Sequence, residues 1–265
     1  MAEHKQTVAV VGLGRIGHVI GQRLLDTNSH RVRGCDISAE AQEHARMIGV
    51  DVVATAGEAV EGADVIILAL PPAAVAPVLS EIKDGLQDDQ VIVSMAGAVP
   101  LSFIQEQAGA GTQAARIMPN TPSLIGQGMN PVCFGQQVTV NGKRNVESLL
   151  AALGETVGVD DDQMDLCTGL AGAAPRYVFA VIEALAEAGT ASGMNEADAI
   201  KIAAQVAAGS GLAVLQSGLD IEALKALTPL QPLDEAAAKP LFRQAVETAR
   251  AKMGDVWAGM MKGRD

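Results

Sequence analysis

The stretch that most constrains this chain is Thr-Val-Ala-Val-Val-Gly-Leu-Gly-Arg-Ile-Gly at residues 7–17. Its first part is apolar at consecutive positions, which is typical of a strand buried on both faces of a parallel sheet. Gly12 permits a tight turn, Gly14 lets a phosphate approach the backbone, and Gly17 allows a helix to pack closely on the strand. A helical pattern begins at Arg15. The stretch therefore predicts a strand–turn–helix unit whose helix N-terminus binds phosphate.

A second predicted strand, residues 31–35, leads into Asp36. An acidic residue about 20 positions after such glycines can accept hydrogen bonds from both ribose hydroxyls of a dinucleotide. A carboxylate repels a 2′-phosphate, and the neighbouring Ile37 and Ser38 supply no arginine to bind one, so the pattern favours NAD over NADP. Two other interpretations stay open. The glycine turn can pack without a ligand, and Asp36 can be the N-cap of a helix over 39–48.

Composition excludes several classes of protein. The net charge of −12 argues against nucleic acid and against an anionic membrane surface. The three cysteines (Cys35, Cys133 and Cys167) form neither a disulfide framework nor a zinc pattern. We find no signal peptide, because Lys5 leads directly into the first strand, and no apolar run of membrane length. We therefore expect a cytoplasmic protein with reduced thiols.

Alternating strands and helices predict an α/β fold with a doubly wound parallel sheet, a Rossmann domain, over residues 1–160. The predicted strands are 8–11, 31–35, 52–53, 64–70, 90–94, 115–118 and 155–159. The predicted helices between them begin at 15 and then cover 39–48, 58–61, 73–82, 100–108 and 144–153. From 161 to 265 the pattern is helical throughout, with helices at 164–191, 196–217, 221–226 and 234–261. The chain thus divides into a dinucleotide-binding domain and an all-helical domain for substrate and dimerisation.

Three segments carry a resemblance to a known family. They are Met-Pro-Asn-Thr-Pro at 118–122, Ser-Met-Ala-Gly-Ala-Val-Pro-Leu at 94–101, and Leu-Ala-Gly-Ala-Ala-Pro-Arg-Tyr-Val-Phe at 170–179. With these segments the chain resembles the pyrroline-5-carboxylate reductases from its first strand to about Gly218, and more weakly in its last helix. The resemblance implies a Rossmann domain, a helical domain intertwined with a second subunit, and hydride transfer between a nicotinamide and a cyclic imine carbon.

Two segments depart from the family pattern. Where the family has a Ser-Pro-Gly-Gly-Thr-Thr loop that holds the substrate carboxylate, this chain has Thr-Pro-Leu-Gln-Pro-Leu at 228–233. Both glycines and both threonines are replaced, and Pro232 has no N–H to donate. Where the family has Ser-Gly-Ser-Gly-Pro-Ala-Tyr, residues 171–177 lose two hydroxyls and gain the guanidinium of Arg176. We therefore expect a rebuilt substrate pocket. The substrate is either pyrroline-5-carboxylate or another imine, and the altered loop favours another imine.

The candidate site residues follow from the glycine turn, the strand ends and the resemblance. The predicted cofactor-binding residues are Gly12, Gly14, Arg15, Ile16, Gly17, Asp36, Ala69, Leu70, Pro71, Ala96, Gly97 and Asn120. Gly97 is expected to let the nicotinamide ring approach, and Asn120 to bind the nicotinamide carboxamide or the substrate, unless it only holds a turn. The predicted catalytic residues are Arg176, Tyr177 and Thr228. Arg176 and Tyr177 either clamp an anionic substrate or close an interface. No metal ligands are predicted.

The histidines favour reduction of C=N over C=O. Carbonyl reduction needs an acid to protonate the forming alkoxide, whereas an iminium already carries its proton. All four histidines lie within the first 44 residues, none of them in the helical domain. Lys201 is an alternative acid, although its polar neighbours indicate a solvated helix face. A hydroxy acid dehydrogenase of the same layout and a non-catalytic nucleotide-binding regulator remain the alternatives.

The helical domain is also expected to form a homo-oligomer. Its helices are rich in alanine and glycine and have too few polar positions for a solitary domain, so we predict an obligate dimer with shared sites. The methionines near the end of the chain (Met253, Met260 and Met261) are interpreted as core or dimer contacts rather than as functional residues.

Overall fold

The computed structural model describes residues 5–262, which form two compact units. The first holds the described chain up to Gly172 together with the chain from Glu247 on, and the second is Ala173–Val246. The predicted boundary at 160/161 stays a prediction. The compact units divide after Gly172, because residues 161–172 make their contacts within the first unit.

The first unit is built on an eight-stranded sheet of order β3-β2-β1-β4-β5-β6-β7-β8. Its strands are β1 Gln6–Val11, β2 His30–Cys35, β3 Asp51–Val52, β4 Val65–Leu68, β5 Val91–Ser94, β6 Gln113–Ile117, β7 Gly128–Phe134 and β8 Gly154–Gly158. In the parallel part, Val8 pairs with Val32 on one side and with Val65 on the other. Every residue of β4 and β5 is buried, as expected for strands covered on both faces. The predicted Rossmann sheet is confirmed.

Strand β7 was not predicted, and it runs antiparallel to β6. Its sequence contains Pro131, which cannot donate to a ladder, and it opens with Gly128, so it does not have the composition of a strand. The carbonyl of Pro131 nevertheless accepts a hydrogen bond from the backbone N–H of Met118, at 3.0 Å. The chain therefore reverses direction after β6 and runs back along it as β7.

The helices agree with the predicted ones except at two places. They are α1 Arg15–Asp26, α2 Ala39–Met47, α3 Ala56–Val60, α4 Pro72–Ile82, α5 Leu101–Ala108, α6 Val140–Leu153, α7 Met164–Cys167, α8 Ala174–Ala191, α9 Glu196–Gln216, α10 Ile221–Ala226 and α11 Glu235–Lys262. Helix α6 begins before residue 144 because the Thr139 side chain caps it. The single helix predicted over 164–191 was wrong: a π-helical turn at Thr168–Gly172 separates α7 from α8.

Two apolar clusters, one of which includes the end of α11, form the core of the first unit. Trp257 and Met260 pack against the cluster that contains Phe103. The rings of Phe103 and Trp257 meet edge to face, with centroids 5.2 Å apart and planes at 83°. The end of α11 thus packs on the core of the first unit.

The second unit buries few side chains of its own. Helices α8 and α9 meet around Ala186, Ala199 and Ala203, with Ile182 partly buried beside them. Their other large apolar side chains are exposed: Val178, Phe179, Val181, Leu185, Ile200, Ile202, Val206, Leu212, Val214 and Leu215. An exposed apolar surface of this kind marks an interaction site.

Two helical stretches of the described chain meet a length and composition test for a membrane span. They are Asp161–Ala191 and Glu196–Gln216, and most of the apolar part of each is not buried in the single chain. The expectation that no run reaches this length was therefore wrong, because alanine-rich helices count as apolar. Two such helices are weak evidence for a membrane, since helices that pack in a soluble protein pass the same test.

Candidate active site

Two glycines of the turn after β1 are required by packing. Gly12 has φ +96°, and a Cβ there would lie 2.5 Å from the carbonyl oxygen of Ala69. A Cβ on Gly17 would collide with the carbonyl oxygen of Gly12. These glycines therefore let β1, the start of α1 and the end of β4 approach one another closely.

Gly14 has a different environment. Its φ of −65° suits any residue, and no heavy atom of the described chain lies within 4 Å of where its Cβ would be. It is the N-cap of α1 and forms no side-chain cap, so the first N–H groups of the helix lack a side-chain acceptor there. Arg15 and Ile16 beside it are exposed. Open space above uncapped N–H groups fits the phosphates of a dinucleotide.

Asp36 fixes the neighbouring loop. Its Oδ2 accepts from the backbone N–H of Leu13 at 2.6 Å, and its Oδ1 accepts from that of Ser38 at 2.8 Å. Each carboxylate oxygen has a second lone pair, so capacity for ribose hydroxyls remains. The alternative interpretation of Asp36 as the N-cap of α2 was wrong, because the Ser38 hydroxyl accepts from the N–H of Ala41 and caps that helix.

A groove of about 710 Å³ adjoins this turn. Its polar lining includes Arg15, His18, Ser38 and His44. Arg15 thus lines a groove beside the glycine turn, and its role at the cofactor stays a prediction.

The predicted residues after β4 lie at the same edge of the sheet. Ala69 donates its N–H to the carbonyl of Val11 at 2.9 Å, which holds the end of β4 beside the end of β1. Ala69 and Leu70 are half-buried, while Pro71 is exposed as the N-cap of α4. These positions are next to the glycine turn, where ligands of α/β sheets bind.

Side chains from later in the sequence, Met253 and Thr168, cover one side of the loop after β5. Ala96 is buried, and its N–H donates to Ser94 Oγ at 3.3 Å. A Cβ on Gly97 would lie 2.9 Å from the sulfur of Met253 and 3.8 Å from Thr168 Oγ1. The side chain of Met253 therefore packs directly against Gly97. The predicted role of Gly97 at the nicotinamide stays a prediction. Ala98, buried next to it, has a positive φ of 68°, which is strained for a residue with a Cβ.

Asn120 is 9% exposed, and both ends of its amide have partners in the chain. Its Nδ2 donates to the carbonyl of Ala171 at 3.3 Å, and its Oδ1 accepts from the N–H of Met129 at 3.3 Å. The side chain thus ties the segment after β6 to β7 and to the π-helical turn. One N–H of Nδ2 and one lone pair of Oδ1 remain for another partner. The predicted role of Asn120 at the cofactor or the substrate stays a prediction.

Arg116 and Asp161 form an ion pair that the sequence did not indicate. Arg116 is 3% exposed, and its Nη1 is 2.6 Å from Asp161 Oδ1. Asp165 lies 3.9 Å from its Nη2. The other oxygen of Asp161 accepts from the N–H of Leu101 at 2.9 Å. The pair links β6, the start of α5 and the segment before α7.

The three predicted catalytic residues lie in the second unit. Arg176 is exposed in the first turn of α8, Tyr177 is half-buried beside it, and Thr228 is exposed after α10. Their catalytic roles stay predictions. Lys201, the alternative acid, is exposed on α9, as its polar neighbours indicated.

Lys225, three residues before Thr228, already forms ion pairs with two carboxylates. Lys225 Nζ lies 2.7 Å from Glu235 and 3.2 Å from Glu222, and these hydrogen bonds raise the pKa of Lys225, the bond to Glu235 most. Lys225 lines a cavity of about 550 Å³ whose other lining is largely apolar, including Leu224, Leu230 and Leu233. This cavity offers no unpaired cation to a carboxylate.

Other chemically reactive side chains of the described chain are poorly placed for catalysis. The cysteines are free and buried, and desolvation, with smaller contributions from Glu81, Asp36 and Glu58, raises the pKa of Cys35 to about 11. His30 is buried, and burial lowers its pKa. His4 lies outside the described residues. No group of three or more potential metal-ligating side chains occurs among residues 5–262.

Two family models of known proteins match separate parts of the chain. A family model described as "NADP oxidoreductase coenzyme F420-dependent" matches residues 7–97. A second, described as "Pyrroline-5-carboxylate reductase dimerisation", matches residues 161–255. The second match covers the helices whose exposed apolar side chains lack partners in one chain, so the protein forms homo-oligomers.

Several relatives and solved structures cover most of the chain. The pyrroline-5-carboxylate reductase of Corynebacterium melassecola is 31% identical over 91% of this chain and 95% of its own length. That of Escherichia coli is 36% identical over 67% of this chain and 66% of its own. The pyrroline carboxylate reductase of Plasmodium falciparum, solved with NADP bound, superposes with a TM-score of 0.85 at 23% identity, covering 96% of this chain and 100% of that one.

The fold, the two family matches and the identity to the Corynebacterium enzyme over nearly the whole of both chains agree. The chain is an oxidoreductase that uses a nicotinamide cofactor and acts on the CH–NH group of a small molecule, and it belongs to the pyrroline-5-carboxylate reductase family.

Proposed function

We propose that this protein reduces the C=N bond of a cyclic imine, that it uses NADH in preference to NADPH, and that its best substrate is an imine other than pyrroline-5-carboxylate. The reaction class comes from the family. The preference for another imine rests on one observation, the replacement of the anion-binding loop by Thr-Pro-Leu-Gln-Pro-Leu at 228–233.

The bound nicotinamide supplies the hydride, and the chain supplies binding and orientation. The uncapped start of α1 binds phosphate, and Asp36 accepts from ribose hydroxyls while it holds Leu13 in the turn. A protonated imine needs no further acid at its carbon, which agrees with the absence of histidine from the helical domain.

The charges around the replaced loop, residues 228–233, favour a substrate that places no carboxylate against this loop. Two carboxylates neutralise Lys225, and Pro232 removes a backbone donor from the loop. The lining side chains Leu230 and Leu233 favour contact with apolar groups instead.

The direct test compares two imines that differ in one carboxylate. Purified protein with NADH is assayed on pyrroline-5-carboxylate and on uncharged 1-pyrroline, following absorbance of the reduced cofactor. We expect reduction of at least one of them, with a low kcat/KM for pyrroline-5-carboxylate. Efficient turnover of pyrroline-5-carboxylate with a low KM contradicts the altered substrate. Tight NADH binding without reduction of any cyclic imine contradicts the proposed activity.

Arg176 is proposed as the replacement anchor for any anionic substrate, because it is the new charged group in the rebuilt helix start. A bidentate guanidinium–carboxylate contact contributes roughly 1.5–3 kcal/mol. We expect Arg176→Ala to lower kcat/KM for pyrroline-5-carboxylate by about one to two orders of magnitude and to leave NADH affinity unchanged. Uncharged 1-pyrroline is the internal control, since an equal loss on both imines argues against an anchoring role.

The preference for NADH is proposed from Asp36, although the Plasmodium neighbour was solved with NADP. Charge repulsion and the loss of a ribose hydroxyl contact each cost on the order of 1 kcal/mol, so NADH should bind more than about tenfold tighter than NADPH. Asp36→Ala should narrow this difference, as measured by titration with both cofactors. Glu43→Gln is a control on α2, because Glu43 pairs with Arg46 at 3.5 Å instead of contacting the turn. Equal dissociation constants in the parent protein rule out the preference.

We also propose that the oligomer is a homodimer formed through the second unit and that it acts in the cytoplasm. The exposed apolar side chains of α8 and α9 support the dimer, and the three free, buried thiols suit a reducing compartment.

A further inference from the structure

Met253 of the last helix contacts the loop after β5. Met253, Trp257 and Met260 are spaced by four and three residues and therefore share one face of α11. Trp257 contacts Phe103 of α5, and Met260 packs on the same apolar cluster. This docked face places the sulfur of Met253 2.9 Å from the position that a Cβ on Gly97 would take.

The loop around Gly97 lies at the end of the site where a nicotinamide belongs. The phosphate-binding turn follows β1, and β4 and then β5 come next in the sheet. A dinucleotide lies across the carboxyl ends of the strands at the point where strand order reverses, here between β1 and β4. With its ribose and adenine on the side of β2 and Asp36, its nicotinamide lies on the side of β4 and β5.

The chemistry of Met253 suits contact with an aromatic ring. A thioether is flexible and polarisable, and sulfur packs favourably at the edge or face of aromatic systems. Met253 is only partly buried, so it retains surface for another contact. The neighbouring groups, Thr168 Oγ1 at 3.8 Å and Met118 Cε at 4.0 Å from the same point on Gly97, carry no charge.

We propose that Met253 is a cofactor-positioning residue: it packs against the nicotinamide ring and, supported by Gly97, sets the position of that ring. The proposal rests on binding of a nicotinamide cofactor by the first unit and does not depend on which imine is reduced. It gives a role to a helix that the sequence assigned to core or dimer contacts.

The test compares binding of the whole cofactor, NADH, with binding of its ADP-ribose part. The dissociation constant of NADH is measured by energy transfer from Trp257, the only tryptophan in the chain, to the dihydronicotinamide. That of ADP-ribose, which lacks the nicotinamide ring, is measured by calorimetry. We expect Met253→Ala to weaken NADH binding about five- to tenfold and to leave ADP-ribose binding unchanged. Met253→Leu, which keeps the volume, should restore most of the NADH affinity.

Met260→Ala is the matched control, because Met260 lies on the same face of the same helix and packs on the core cluster, but it is not among the nearest neighbours of Gly97. It should lower the thermal midpoint without changing the affinity for NADH relative to ADP-ribose. Gly97→Ala gives an independent check. Its Cβ would displace the Met253 sulfur, so it should weaken NADH binding in the parent background and have little further effect in a Met253→Ala background.

Three outcomes overturn the proposal. They are unchanged NADH affinity in Met253→Ala, an equal loss of NADH and ADP-ribose affinity, and additive effects of the two substitutions. Failure of the parent protein to bind ADP-ribose at all would instead contradict dinucleotide binding itself, so the two failures are distinguishable.

Discussion

Gly14→Ala will leave the protein folded and remove most of its affinity for NADH, whereas Gly17→Ala will impair both folding and binding. At Gly14 the backbone already has φ −65°, and a Cβ would meet no heavy atom of the described chain within 4 Å. The free energy of unfolding should therefore change by less than about 0.5 kcal/mol. The added methyl group occupies the space through which phosphate approaches the start of α1, so the NADH dissociation constant should rise by roughly ten- to a hundredfold.

At Gly17 the new Cβ would overlap the carbonyl oxygen of Gly12, and backbone must move. Such overpacking costs about 1–3 kcal/mol or more. Urea unfolding and NADH titration of both variants check the two expectations. Gly85→Ala is the control, since a Cβ there also meets open space but lies in the turn after α4. A Gly14→Ala protein that binds NADH like the parent would show that the turn serves packing alone, which is the interpretation without a ligand.

Val206→Glu on α9 will convert the oligomer to monomers. Ala199 and Ala203 face α8 and are buried, but Ile202 and Val206 are 53% and 54% exposed in the single chain. If a second copy covers them, each carboxylate introduced at 206 is buried without a partner. Burying an unpaired ion costs several kcal/mol, and a two-fold interface carries it twice. At about 3 kcal/mol per copy the dissociation constant rises by roughly four orders of magnitude.

Sedimentation at micromolar concentration measures this change. Lys201→Glu is the control on the same helix, at an exposed position near Asn195, Glu196 and Asp198, and it should stay oligomeric. Because the resemblance implies sites shared between subunits, imine reduction should fall with the oligomer while ADP-ribose binding persists. An oligomeric Val206→Glu protein would mean that partners cover other faces of the helices.

The elements that could be predicted from sequence have local causes. Consecutive β-branched residues predicted β1, β4 and β5, and glycine spacing predicted the phosphate-binding turn, because backbone sterics are encoded at the residue itself. Strand β7 was missed because Pro131 and Gly128 oppose strand formation locally, and its pairing with β6 decides the outcome. The segment 164–191 has continuous apolar periodicity and was therefore predicted as one helix. The glycines and Pro175 in its first half instead end α7 and start α8.

The site was less predictable than the fold, since its contacts join residues distant in the chain. Asn120 was predicted to face a ligand, and its sequence context did not indicate that its amide also bonds to Ala171 and Met129. Arg116 lies within an apolar strand, and nothing in the sequence marks Asp161 as its partner. Met253 was classed with the other methionines of the last helix, because its proximity to Gly97 depends on how that helix docks. Such contacts are set by tertiary packing, which periodicity does not report.

The discontinuity of the first unit has a consequence for synthesis on the ribosome. Its core includes Trp257 and Met260, which emerge only after the whole of Ala173–Val246 has been made. At roughly 5–20 residues per second, the nascent sheet domain waits several seconds with the surface around Phe103 uncovered. During that interval an apolar patch that the finished protein hides is available to chaperones and to other nascent chains. Truncation shortly before Trp257 would make this exposure permanent, so loss of a few C-terminal turns should harm solubility through the N-terminal domain.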